Sequence, residues 1–102
     1  MFEYLAASYL DLDWHTLPEN ASHSAQEFGE ESMQRIGLIP EIVERYRSPY
    51  VGHIFSGGYA SGYYSYMWAE VLDADAFQAF KETSLFDQVI ASSFRSNILA
   101  TG

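Results

Sequence analysis

The chain has 102 residues, 48% of them hydrophobic and 19% charged, which suits one ordered domain or part of a larger one and argues against intrinsic disorder. Five basic residues stand against fourteen acidic ones, a formal net charge of −9 that disfavours nucleic acid and anionic membrane surfaces as partners. Cysteine is absent, so disulfides and thiolate metal sites are excluded, in keeping with a reducing compartment.

In chain order, FEYLAASYLDLDW reads as a helix, with Leu5, Tyr9 and Leu12 near three-to-four spacing. It lacks the basic start of a secretory leader and carries acids inside its apolar run, so nothing in it points to export. TLPEN interrupts it, because Pro18 disfavours helix at Leu17 and Asn20 suits a turn or cap. A second helix is expected over residues 24–36. Phe28, Met33 and Ile36 give it a partial apolar stripe, Ser22 or Ser24 would cap it, and Gly37 would stop it. Pro40 favours the first turn of a short helix through IPEIVERYR, ending before Ser48-Pro49.

YVGHIF has local strand character, and Gly57-Gly58 marks a tight turn. A long helix is expected over residues 59–81, with a bend near residues 73–75. Asp87 would cap a last helix, VIASSFRSNILA, ended by Gly102. The fold class is therefore all-α, with a glycine-rich loop before a long helix. No repeat, low-complexity tract or linker divides residues 1–102. Residues 48–69 carry no formal charge and are long enough to span a bilayer, and they contain Gly58-x-x-x-Gly62. Their branched aliphatics are only Val51 and Ile54, among serine, tyrosine, glycine, Pro49 and His53, so the segment is a soluble one.

On a helix over residues 59–81, Tyr59, Tyr63, Tyr66 and Glu70 share one side at steps of four, three and four. Ala60, Tyr64, Met67 and Val71 form an adjoining apolar stripe, and Trp68 and Leu72 continue behind it. A helix apolar nearly all round belongs inside a larger packed body, or under the cover of a second copy. The tyrosine side reads two ways. Its phenols line a core and bond to backbone carbonyls, or they face a cleft behind the loop carrying His53, where donors would steady a developing oxyanion. Periodicity does not choose between the two.

Other constellations are weaker. His15, His23 and His53 never take zinc-helix spacing, and HExxH is absent. Ser56 precedes Gly57-Gly58 without a G-x-S-x-G pattern, and those glycines lack the lysine and hydroxyl that complete a phosphate loop. Glu30-Glu31 belongs to a solvated helix face.

YRSPYVGHIFSGGYASGYYSYMWAEVLDADAFQAF resembles the C-terminal catalytic region of the thimet oligopeptidase family of zinc metallopeptidases, which includes bacterial oligopeptidase A and the peptidyl-dipeptidases. The shared motif is a histidine, a Gly-Tyr pair, then Gly-Tyr-Tyr-x-Tyr-x-Trp. LAASYLDLDWHTL is similar to the family's segment before that motif, and SLFDQVIASSFRSNIL to the helix after it, so the resemblance covers nearly the whole chain.

The resemblance implies a largely helical fold with a channel for short peptides between two lobes. Zinc sits on one wall, and the segment matched here lies on the other. By motif position, Tyr66 resembles the tyrosine that stabilises the tetrahedral oxyanion, and His53 the histidine assisting it. Tyr59 matches a substrate-contacting tyrosine, and Gly57 and Gly58 would let the loop move against bound peptide. Tyr63 and Tyr64 match the motif and are assigned to packing.

The zinc helix, the third ligand and the general base have no counterpart in this sequence. The expectation is a partial C-terminal segment of a cytoplasmic zinc peptidase, inactive alone, binding no catalytic zinc, and covered by the rest of its domain or by self-association. The ending MWAEVLDADAFQAFKETSLFD looks slightly closer to peptidyl-dipeptidases. The contrasting expectation is a free-standing acidic helical interaction module with an aromatic docking face.

Overall fold

The computed structural model describes residues 2–43 and 47–102. Its α-helices are α1 (Phe2–His15), α2 (Ala25–Arg35), α3 (Ser65–Glu82) and α4 (Gln88–Phe94). No strand occurs among the described residues, so the fold class is all-α. The chain forms two compact units, Met1–Met67 and Trp68–Gly102.

In the first unit, α1 and α2 form where the apolar spacing places them. Ser24 caps α2, accepting the Glu27 N–H at 3.2 Å, and Gly37 follows it at a φ of +70°. Phe28 and Met33 of α2 pack with Ala6 and Leu10 of α1. The face of α1 that goes inside carries Ala6, Ala7, Ser8, Leu10 and Asp11. The Leu5, Tyr9 and Leu12 stripe is instead partly exposed. A second cluster joins Ala7 to Val51, Ile54 and Tyr63. Trp14 packs against both clusters and donates its indole N–H to Ser48 Oγ at 2.8 Å.

The expected strand at YVGHIF does not form. Ser48–Tyr50 and Gly52–Ile54 are two short 3₁₀ turns, closed by Tyr50 N–H to Arg47 O at 2.8 Å and Phe55 N–H to Gly52 O at 3.1 Å. Pro49 sits in the first of them. Val51 and Ile54, three apart, both go into the core at 5% and 1% exposure. A 3₁₀ turn aligns such a pair on one side, whereas strand alternation would face them oppositely. At the expected 40–47 helix, Pro40 and Glu41 lie in a turn closed by Ile42 N–H to Ile39 O at 3.0 Å. The rest of that expectation, at residues 44–46, lies outside the described residues.

The long helix begins at Ser65 rather than Tyr59, and it runs unbroken through residues 73–75. Residues 59–64 are turns. Gly57, Gly58 and Ser61 take φ of +71°, +79° and +57°, which no right-handed helix accepts. A Cβ on Gly62 would come within 3.0 Å of Tyr59 O, the carbonyl its own N–H bonds at 2.9 Å.

In the second unit, Asp87 caps α4 through bonds from the Val89 and Ile90 N–H groups at 2.8 and 3.1 Å. The chain then widens into a π turn at Arg95–Leu99. Neither α3 nor α4 has a buried residue. Trp68 is 62% exposed and Leu72 65%, a large apolar surface for a soluble helix.

Candidate functional site

The site is assembled in the first unit from three pieces of backbone. The turn Gly52–Ile54 carries His53. The glycine turn and residues 59–64 carry Tyr59 and Tyr63, and the first turn of α3 carries Tyr66. The third piece is α1, where Tyr4, Ser8 and Asp11 recur at four and three residues and so lie on one face.

His53 Nε2 and Tyr66 Oη are 2.7 Å apart, and the imidazole tautomer decides which donates. The His53 ring lies over Tyr59, centroids 4.5 Å apart with 25° between planes. Tyr63 meets His53 edge-on at 6.4 Å and Tyr66 at 5.0 Å. Tyr4 stacks on Tyr66 at 6.1 Å, with 23° between planes. A cavity of about 370 Å³ opens here, lined by Tyr4, Tyr50, Val51, Gly52, His53, Tyr63 and Tyr66. Tyr66 is 37% exposed, and His53 and Tyr59 are exposed too.

The expected site residues are thus brought together, although not by the expected geometry. Tyr59 and Tyr63 precede α3, so the stripe is no helical row; loop turns and ring stacking gather the same side chains. Tyr59 stacks behind His53 and is not among the residues lining the cavity. Gly57 and Gly58 form the tight turn before it. Tyr63 is buried in the core, whereas Tyr64, also assigned to packing, is 46% exposed.

Two residues escaped the sequence reading. Tyr4 stacks on Tyr66, and Asp11, fully buried, bonds the backbone of the tyrosine loop. The signal was present in α1: a serine and an aspartate at helical spacing after Tyr4, on a face that is otherwise alanine and leucine.

Chemically, the arrangement supplies a phenol and an imidazole in mutual contact at the rim of a cleft. Among the described residues, no three His, Cys, Asp or Glu side chains come together to hold a metal ion, so these residues do not fit a zinc set. No helix among them is long and apolar enough to cross a membrane.

The sequence matches Peptidase family M3 over residues 1–102. It is 42% identical over 104 residues to a dipeptidyl carboxypeptidase of Salmonella typhimurium, covering all of this chain and 15% of that protein. It is 43% identical over 81 residues to oligopeptidase A of Escherichia coli, covering 72% of this chain and 12% of the relative. A probable cytosolic oligopeptidase A of Arabidopsis thaliana is 41% identical over 99 residues, 91% of this chain and 14% of that protein. The chain thus spans about one-seventh of the length of these relatives. No solved structure matches it.

Proposed function

The chain belongs to peptidase family M3, and from that premise we infer that it forms part of the substrate-binding wall of a peptidase acting on short peptides. The observation that carries this reading is the 2.7 Å contact between His53 Nε2 and Tyr66 Oη at the mouth of the 370 Å³ cavity. With the proton on Nε2, His53 donates to Tyr66 Oη, and the phenolic O–H is left to donate into the cleft. Linked donors polarise one another. A phenol held this way stabilises the negative oxygen of a tetrahedral intermediate more than the neutral carbonyl it grows from, and that difference lowers the barrier.

Tyr59, stacked on the imidazole, fixes the ring plane and offers its exposed edge to the peptide. Gly57 and Gly58 give the loop freedom to close on bound substrate. Zinc, implied by the family resemblance, would be held by segments outside this sequence, which contains no HExxH. Residues 1–102 alone are accordingly inactive. The exposed apolar surface of α3 would be covered by the rest of one catalytic domain, of which residues 1–102 are a C-terminal segment. A cytoplasmic setting agrees with the printed name of the Arabidopsis relative. The dipeptidyl carboxypeptidase match runs over the whole chain and favours release of dipeptides from peptide C-termini.

The test is steady-state kinetics of Tyr66→Phe in the full-length protein on a short chromogenic peptide. The reading predicts that kcat falls on the order of 10²–10³-fold while KM changes little. Wild-type turnover in that variant would remove the role given to Tyr66. Partner binding by an isolated, cooperatively melting chain, untouched by chelators, would favour the docking-module alternative.

A further inference from the structure

Asp11 is the one fully buried carboxylate among the described residues. A buried charge is costly unless it is hydrogen-bonded on most sides. Its partners come from the far end of the first unit. Oδ2 accepts the Tyr63 N–H at 2.9 Å, and Oδ1 accepts the Ser61 N–H at 3.0 Å, across 52 and 50 residues of sequence. His15 Nδ1 lies 2.9 Å from Oδ1, one helical turn along α1.

The two amides belong to the turn that leads into α3, so a side chain of α1 satisfies backbone donors of that turn and ties it to another helix. Ser61 sits at a φ of +57°, a conformation that costs a serine free energy, and the bond to Asp11 holds it there. The Tyr66 N–H bonds Tyr63 O at 3.2 Å, so fixing Tyr63 fixes where the Tyr66 side chain leaves the backbone.

We propose that Asp11 is a positioning residue for the His53–Tyr66 pair, its carboxylate pinning the 61–63 backbone so that Tyr66 Oη stays within reach of the imidazole. This rests on reading that pair as the donor pair of a peptidase. Asp11 touches no substrate and acts through Tyr66.

The test is Asp11→Asn in the full-length protein, since asparagine keeps the shape but turns an NH₂ toward one of the two amides. The expected result is a kcat lower on the order of 10²-fold with KM nearly unchanged, as for a slightly misplaced catalytic group. In a Tyr66→Phe background the same substitution is expected to change kcat by less than about threefold, because the group it positions is gone. In protein labelled with ¹⁵N-histidine and assigned with His53→Gln, the His53 Nε2 resonance is expected to move in both Asp11→Asn and Tyr66→Phe. A lower melting temperature with that resonance and kcat unchanged would overturn the proposal, leaving Asp11 purely structural. A full further loss of kcat in the double variant would overturn it as well.

If Tyr66→Phe keeps full activity while Asp11→Asn still moves the resonance, the peptidase reading falls and the positioning stands. If Asp11→Asn does not fold, amide exchange in the wild type decides. Ser61 and Tyr63 are expected to exchange at least about 10²-fold slower than an open loop, and open-loop rates at both would overturn the proposal.

Discussion

Gly58 takes a φ of +79° with open space where a Cβ would go, so an alanine there meets no clash and suffers only the left-handed backbone. That strain is about 1–2 kcal/mol. Gly58→Ala is accordingly expected to lower the melting temperature slightly and, if the loop contacts peptide, to raise KM more than it lowers kcat. Gly62 is a different case, because its Cβ would stand 3.0 Å from Tyr59 O. Gly62→Ala should push Tyr59 off the His53 ring, seen as a changed near-ultraviolet tyrosine signal. Trp14 is the residue on which both core clusters meet. Trp14→Phe keeps much of the apolar contact but leaves buried Ser48 without its indole donor. The expected cost is about 1 kcal/mol in denaturant unfolding of the full-length protein.

At the scale of elements, α4 depends on its first turn. It spans only Gln88–Phe94, too short to hold itself by propensity, and Asp87 satisfies two of its free amides. Asp87→Ala should cost about 1 kcal/mol and speed amide exchange at Val89 and Ile90 first. Caps of this kind were legible in the sequence: Ser24, Gly37 and Asp87 stand where they were expected. So were the all-α class and both N-terminal helices, since regular spacing is a local property. The strand reading of YVGHIF failed because β-rich residues also suit a 3₁₀ turn when two of them, three apart, have a core to enter. The start of α3 failed because the decision is tertiary. Asp11, some fifty residues earlier, takes the Tyr63 amide that a helix from Tyr59 would have used, and its bond from the Ser61 N–H accompanies a φ of +57° that no right-handed helix accepts. His53, Tyr59, Tyr63 and Tyr66 nevertheless lie together, because they are close in sequence and the turn folds the tyrosines over His53. The pairing of Tyr4 with Tyr66 was not legible, since nothing local says which face of α1 meets the loop.

At the scale of the molecule, the dominant fact is apolar surface left in water. Trp68, Val71, Leu72 and Phe77 of α3 and Val89 of α4 are all more than half exposed. Soluble monomers seldom leave so many large side chains uncovered on one helix. Residues 1–102 prepared alone should bind a hydrophobic dye strongly and self-associate in sedimentation, and the full-length protein should do neither. With a net charge of −9, self-association should strengthen as salt screens the repulsion.

The claim at the centre of this account is that His53 and Tyr66 recognise the transition state rather than the substrate. Binding of a tetrahedral phosphinic pseudopeptide to the full-length protein tests it most directly, with wild type compared against Tyr66→Phe and His53→Gln by calorimetry. The account predicts that each substitution weakens the tetrahedral inhibitor by roughly 10²-fold, while the affinity of a planar substrate-like peptide stays within about threefold. Equal losses for both ligands, or no loss for either, would contradict it.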